Sequence, residues 1–345
     1  MHLITGSAGY VGNIITEKLL EQGKEVIGID ISNTITKSQK KFISLVQDIT
    51  DYEALEQIFI ENKNIQYIYH CAAQLTFKRK NSQYFKKVNI EATEALINLA
   101  IKYKVKNFIY ISSNCVYGKV NSLNIKENHV LDPFEEYGIS KLRSEEILLS
   151  KKNSLNIIVL RAPTIIGEGR LGILSTVFDF IKENKKLYLV GPGRNRYQFV
   201  YGNDLANACV AASTYNKSNI FNIGTIDPHS LRETFEYLIE KSNSKSNIYT
   251  LPASIIIPLM KFFFKIGLSP LGPYQYNMIM NTYSGDVRLI EQELNWKPTK
   301  NNNEILYTAY KYYIDNYDMI HSNLSLVGHR KIGKDGIIKL LKWLS

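Results

Sequence analysis

Cysteine is scarce in this chain. Its three cysteines, Cys71, Cys115 and Cys209, stand far apart among 345 residues. They make neither a disulfide framework nor a metal-ligand spacing, so small stapled domains are excluded, no metal is expected and a reducing cytosol is indicated. No apolar run has the length of a bilayer span. The strongest, Ile255-Ile256-Ile257-Pro258-Leu259-Met260-Lys261-Phe262-Phe263-Phe264-Lys265, is short and broken by a proline and two lysines. A cleavable leader is not expected, because Met1-His2-Leu3-Ile4-Thr5 runs directly into a glycine turn. Internal repeats and long low-complexity linkers are missing, as is the aromatic-basic patterning of nucleic-acid binders. The net charge of +10 is therefore read as a surface suited to phosphorylated substrates or anionic lipid, with no nucleic-acid partner.

What is present is a hydrophobic fraction of 45%, enough for a real core, at a length that suits one large domain or two interleaved ones. Strand-like runs at 2–5, 25–30, 42–47, 67–71, 107–112 and 157–161 alternate with helix-like runs at 13–22, 52–62, 82–103 and 136–151. That rhythm predicts an α/β fold: a Rossmann-type doubly wound parallel sheet with a smaller C-terminal substrate-binding part. Residues 1–165 form the nucleotide domain, rejoined by a segment near 196–225, and 166–327 form the second part. Further helices are expected at 171–184, 204–215, 231–242 and 302–317. The apolar run at 255–265 predicts a packed helix, with an interfacial membrane contact as the alternative. The tail at 328–345 repeats Ile337, Leu341 and Leu344 at helical spacing and carries Arg330, Lys331, Lys334, Lys339 and Lys342 against Asp335. Such a basic amphipathic segment suits either a membrane interface or a docking face on this chain or a second copy.

Gly6-Ser7-Ala8-Gly9-Tyr10-Val11-Gly12 follows the first strand and opens the first helix. Glycines there permit a tight turn and close approach of a pyrophosphate to free helix N–H groups. Asp30 ends the second strand, where a carboxylate accepts bonds from both adenosine ribose hydroxyls and repels a 2′-phosphate, favouring NAD over NADP. Asp48-Ile49 ends the third strand; Asp48 either faces the adenine amino group or caps the following helix. Tyr137 and Lys141 in Glu136-Tyr137-Gly138-Ile139-Ser140-Lys141 share one helix face. A lysine held beside a phenol favours phenolate, which suits Tyr137 to take up a proton near neutral pH.

With these residues placed, the chain resembles the extended short-chain dehydrogenase/reductase family, the NAD-dependent sugar epimerases and dehydratases. Further motifs carry the resemblance: His70-Cys71-Ala72-Ala73, Asn89, Ser112-Ser113-Asn114-Cys115-Val116-Tyr117-Gly118, Arg161-Ala162-Pro163, Asp204-Leu205-Ala206, Phe221-Asn222-Ile223-Gly224 and Leu294-Asn295-Trp296-Lys297-Pro298. The family implies catalytic roles for Ser113, which hydrogen-bonds the reacting oxygen, for Tyr137 as general base and acid, and for Lys141. It implies cofactor contacts at Gly6, Gly9, Tyr10, Val11, Gly12, Asp30, Asp48, Ile49, Ala72, Ala73, Asn89, Ser112, Tyr137, Lys141 and Pro163. It also implies a homodimer formed through the helices at 82–103 and 136–151.

Two departures narrow the activity. Family dehydratases carry Asp-Glu after the catalytic serine or threonine; Asn114 and Cys115 stand there, so water elimination is not expected. Cys115 is read either as a packing residue or as a thiol that shuttles a proton. The family's usual diphosphate-binding arginines are replaced by Tyr197 and Tyr283, leaving Arg170, Arg194 or Arg196 as substitutes. The expected function is an NAD-dependent sugar epimerase, acting at the 4-position through a keto intermediate, for surface polysaccharide synthesis. Its substrate is a nucleotide sugar or a polyprenyl-diphosphate sugar, met in the cytoplasm or at the inner membrane face. The alternative is a net NAD-dependent dehydrogenase or ketoreductase of a sugar or a 3β-hydroxysteroid-like alcohol.

Overall fold

A computed structural model describes residues 1–37, 40–75, 82–172, 174–266 and 272–322. The basic tail at 328–345 lies outside the described residues. Leu3, Ile4, Ile27, Ile29, Ile68 and Ile109 are fully shielded from solvent, as strands covered by helices on both faces require. The strands are β1 (His2–Thr5), β2 (Val26–Asp30), β3 (Phe42–Val46), β4 (Tyr67–His70), β5 (Asn107–Ser113), β6 (Ser122–Ile125), β7 (Asn156–Ala162), β8 (Thr164–Ile166), β9 (Leu187–Val190), β10 (Phe199–Tyr201), β11 (Asn219–Asn222), β12 (Ile248–Leu251) and β13 (Tyr283–Gly285). Seven of them form one sheet in the order β11-β7-β5-β4-β1-β2-β3, and every pairing is parallel. The chain winds outward from β1 to β3, then returns to the centre and winds the other way through β4. The reversal between β1 and β4 opens a crevice at the carboxyl ends of the strands, where such sheets bind ligands.

Helices α1 (Tyr10–Glu21) and α2 (Tyr52–Glu61) cover opposite faces of this sheet. Asp51 caps α2 by accepting from Ala54 N–H at 3.1 Å, so the capping alternative for Asp48 is not realised. The helical stretch expected at 82–103 is divided. It runs as α3 (Ser82–Lys86), a wide π-type turn at Lys87–Glu91 and α4 (Ala92–Lys102). Such turns interrupt helices most often at functional sites. Helix α5 (Glu136–Ser150) lies beside α4, and Leu55, Phe59, Leu96 and Leu148 form one apolar layer against the sheet. Farther along the chain come α6 (Leu174–Lys182) and α7 (Gly202–Ala212), the latter packing with α1 on the opposite layer through Val11, Ile15, Leu205 and Cys209. Asp204 fixes the start of α7: its carbonyl accepts from Trp296 Nε1 at 2.8 Å, and its carboxylate accepts from Thr299 N–H and Oγ1. The Asp204 and Trp296 motifs are thus two halves of one latch.

The remaining helices of the described residues are α8 (Leu231–Lys241), α9 (Ala253–Lys265), α10 (Pro273–Met280), α11 (Arg288–Leu294), α12 (Asn302–Asp315) and α13 (Tyr317–Ser322). A third core, rich in aromatics, gathers Phe178, Tyr197, Tyr310 and Tyr313. Beside it three small parallel pairs form, β8 with β10, β9 with β12 and β6 with β13. The expectation of a packed helix at 255–265 is corrected. Helix α9 forms there but buries none of its residues, because only part of its circumference meets neighbours.

Candidate active site

The glycine turn joins β1 to α1. Gly6 has φ of +72°, and a Cβ on it would lie 2.7 Å from Ala72 N; a Cβ on Gly12 would lie 2.2 Å from Gly6 O. Neither position accepts a side chain, so the turn stays bare and Ala72-Ala73, at the end of β4, close against it. Gly9 precedes α1 and offers no capping side chain, leaving the first-turn N–H groups turned outward. Val11 is buried beneath the turn, whereas the Tyr10 hydroxyl, close to Gly167 and Gly202, is buried without a hydrogen-bond partner among the described residues. Asp30 borders the turn; its Oδ2 accepts from Ala8 N–H at 3.1 Å and its Oδ1 from Ser32 N–H at 3.0 Å. Each oxygen keeps lone-pair capacity for a further donor. A bare turn on a helix N-terminus, flanked by a fixed carboxylate, fits the pyrophosphate and ribose of NAD.

Asp48 accepts from Thr50 N–H and hydroxyl through Oδ1 and from the Tyr84 hydroxyl through Oδ2. These bonds hold its carboxyl below the usual range although burial opposes them. Ile49 is buried beside it. His70 links β1 and β4 to α4, with Nδ1 at 2.6 Å from Thr5 Oγ1 and Nε2 at 2.8 Å from Thr93 Oγ1; burial lowers its pKa to about 3, so it is neutral. Asn89 occupies the wide turn. Its Oδ1 accepts from Gln74 N–H at 2.7 Å, and its Nδ2 donates to Gln74 O and to Ser140 Oγ. Asn89 therefore organises the crevice by tying the segment after β4 to α5.

Helix α5 delivers Tyr137 and Lys141. A Cβ on Gly138 would lie 2.8 Å from Cys115 O, so glycine lets the start of α5 press on the turn that follows Ser113. Lys141 Nζ donates to Ile111 O on β5 at 2.7 Å and lies 5.8 Å from the Tyr137 ring centre. Burial lowers the Lys141 pKa to about 8 and drives the Tyr137 phenol well above its ordinary value. In the protein without NAD burial is the largest influence on the phenol, and it opposes the phenolate expected near neutral pH. The cation that draws the phenol back down is Arg170. The Tyr137 hydroxyl makes no hydrogen bond to any described residue.

An ammonium whose folded pKa lies below its unfolded value costs stability most fully below the folded pKa, and that cost fades as pH rises toward the unfolded one. A drop from 10.5 to about 8 corresponds to about 3 kcal/mol, of which about 1 is offset by the bond to Ile111 O. NAD-free Lys141→Met is therefore expected to be about 2 kcal/mol more stable than wild type at pH 7. The difference should shrink toward pH 10 in thermal melts, and an equally stable or weaker variant at pH 7 would contradict the burial cost.

Ser113 ends β5. Its Oγ accepts from Cys115 N–H at 3.2 Å, capping the short turn Asn114–Tyr117. Asn114 Nδ2 donates to the Tyr197 hydroxyl at 2.8 Å, which lies 2.7 Å from that of Tyr274; Thr164 Oγ1 follows at 2.9 Å. Tyr197 and Tyr283, the expected replacements for diphosphate-binding arginines, are buried. The Cys115 thiol is also buried, and its pKa is raised by burial and by Glu135, which speaks against a thiolate shuttle. Arg170 is half-buried, its guanidinium 5.7 Å from the Tyr10 ring centre, with no side-chain hydrogen bond or ion pair among the described residues. Arg196 is not brought into this cluster. It is bound to Asp227 and donates Nε to Pro228 O at 2.7 Å.

Beneath the site lies an ion pair that the sequence reading missed. Arg161 on β7 donates NH2 to Glu145 Oε2 at 2.7 Å, and both side chains are at most 2% exposed. Ser112 donates to Glu145, while Arg161 also reaches the Tyr117 hydroxyl and Glu127 O. Pro163 is buried just past the end of β7. Glu145 lies four residues after Lys141 on the same helix face, a spacing that could have flagged it. Nothing in the local sequence marked Thr164 or Tyr274.

The sequence profile of the NAD dependent epimerase/dehydratase family matches residues 2–224. A Methanocaldococcus jannaschii protein provisionally named UDP-glucose 4-epimerase is 31% identical over 252 residues, 69% of this chain and 81% of that one. An Escherichia coli O157:H7 protein named N-acetyl-alpha-D-glucosaminyl-diphospho-ditrans,octacis-undecaprenol 4-epimerase is 30% identical over 208 residues, 58% of this chain and 59% of that one. Among solved structures, UDP-glucose 4-epimerase of Thermotoga maritima with UDP-glucose gives a TM-score of 0.75 at 24% identity, covering 92% of this chain and 99% of that one. At that identity the likeness is one of fold.

Proposed function

The chain belongs to the NAD-dependent epimerase/dehydratase family, an extended short-chain dehydrogenase/reductase with NAD as its cofactor, and from that premise we propose that it is a 4-epimerase of a diphosphate-linked sugar. The observation that carries this reading is the meeting of Tyr137 and Lys141 with the Ser113 end of β5, fixed by the 2.7 Å bond from Lys141 Nζ to Ile111 O. In this reading residues 1–165, with the segment near 196–225, hold the cofactor and residues 166–327 hold the sugar. Gly6, Gly9 and Gly12 cradle the pyrophosphate, and Asp30 takes the ribose hydroxyls. NAD, when bound, supplies the acceptor for the carbon-bound hydrogen of the sugar.

The chain's own residues handle the proton. Tyr137 withdraws it from the sugar hydroxyl, and Ser113 donates a hydrogen bond to the same oxygen as it becomes a carbonyl. Lys141 and Arg170 stabilise the phenolate as it forms, offsetting burial. Tyr137 returns the proton after the keto sugar has turned its other face. Asn114 and Cys115 supply neither acid nor base for loss of water. The sugar carrier is a nucleoside or polyprenyl diphosphate, used for surface polysaccharide, by a homodimer formed through α4 and α5; with a polyprenyl carrier the enzyme meets its substrate at a membrane.

Tyr197 and Tyr283 are buried and Arg196 is engaged, whereas Arg170 has no side-chain hydrogen bond or ion pair among the described residues and can meet an anionic group of the substrate. Arg170→Leu is expected to raise KM about 10- to 100-fold, the loss of one charge-assisted hydrogen bond, and Arg170→Lys to recover part of it. A KM within twofold of wild type would remove Arg170 from the substrate site. The activity itself is tested by incubating enzyme, purified without added NAD, with UDP-linked and polyprenyl-diphosphate-linked hexoses. Formation of the 4-epimer with no added cofactor supports the proposal. Consumption of added NAD in step with product identifies the net dehydrogenase instead.

A further inference from the structure

Helix α9 carries four large apolar residues at intervals of four, three and four, ending at its C-cap. Ile255 is 64% exposed, Leu259 47%, Phe262 56% and Ile266 51%. At 3.6 residues per turn they fall in one stripe about 60° wide. The opposite side makes the contacts with the rest of the fold: Met260 O accepts from the Tyr276 hydroxyl at 3.0 Å, and the Phe264 ring meets the Tyr276 ring edge-on. Lys261 and Lys265 are exposed on one flank of the stripe. From Lys241 to Gly285 the sequence holds four lysines and neither aspartate nor glutamate.

We propose that α9 docks this protein on an anionic lipid surface, with Ile255, Leu259, Phe262 and Ile266 entering the headgroup boundary and Lys261 and Lys265 meeting lipid phosphates. An apolar stripe with flanking lysines is the pattern of helices that lie in the interface plane. At 13 residues α9 is too short to cross a bilayer, so it lies on the membrane rather than through it. Charge selects lipid over the other occupants. A second copy would set lysine against lysine, and the chain's own tail at 328–345 is basic as well. The proposal rests on α9 and does not depend on which carrier bears the sugar.

The test is flotation of the full-length, NAD-loaded protein with vesicles of phosphatidylglycerol and phosphatidylcholine, and with phosphatidylcholine alone. Wild type should float with the anionic vesicles and be released as salt is raised. Leu259→Glu/Phe262→Glu should lose at least tenfold in partitioning, and Lys261→Gln/Lys265→Gln should lose the anionic preference, with NAD content unchanged in both. Failure of wild type to bind, equal binding to both vesicle types, or undiminished binding of the Glu variant would each overturn the proposal. Light scattering supplies the remaining outcome: a wild-type dimer that the Glu variant converts to monomer would assign the stripe to a second copy and overturn the lipid assignment.

Discussion

Replacing Tyr137 by phenylalanine is expected to lower kcat by about 10³-fold, within the usual range for loss of a positioned general base, while bound NAD and Tm stay near wild type. The change removes one oxygen and leaves the ring in place. Because that hydroxyl donates to no described residue and accepts from none, its loss strands no partner, and the ordinary cost of deleting a buried hydroxyl does not arise. The cofactor cradle, built from Gly6, Gly9, Gly12 and Asp30, is also untouched. Steady-state rates, NAD released on denaturation and a thermal melt together check the expectation. Loss of NAD or a large fall in Tm would mean that Tyr137 is structural, and unchanged turnover would remove it from the chemistry.

The second large effect concerns stability. Arg161→Met is expected to destabilise the protein by about 3–5 kcal/mol, the cost of leaving a buried charge without its partner. Glu145 would remain on α5 at 1% exposure, keeping among the described residues only its bond from Ser112. The double variant Arg161→Met/Glu145→Leu should recover much of that loss, since no buried charge then lacks compensation. Thermal or denaturant unfolding of the three proteins measures the coupling. The pair also bears on activity, because it fastens the helix of Tyr137 and Lys141 to β5 and β7. A loss below about 1 kcal/mol for Arg161→Met would show that α5 is held by its apolar face alone.

Local features carried most of what could be read from the sequence. The glycine turn was legible because Gly6 and Gly12 occupy places where a Cβ collides with nearby backbone. The first-half strands were legible because buried parallel strands are continuous apolar runs, and their observed bounds differ from the expected ones by a residue or so. Asp48 shows the limit of local reading: two aspartates stand near the start of α2, and only the fold shows Asp51 to be the cap. The three small parallel pairs were invisible because their strands are three or four residues long and depend on partners distant in sequence. The cluster of Asn114, Tyr197, Tyr274 and Thr164 escaped for the same reason, joining four elements that share no motif. Arg170 and Arg196 looked interchangeable as cations until Asp227 was found beside Arg196. The burial that opposes a Tyr137 phenolate was not legible, because spacing reports the neighbouring Lys141 and is silent on burial.

The central claim is that one carbon of the sugar is oxidised and reduced again inside a closed site, with Tyr137 handling only the oxygen-bound proton. It is tested most directly with a substrate deuterated at C4, turned over in ordinary water without added cofactor and read by mass spectrometry and NMR. The account predicts a 4-epimer that keeps its deuterium at C4. Epimer formed with loss of that deuterium to solvent would contradict it, because the proton would then have been taken from carbon.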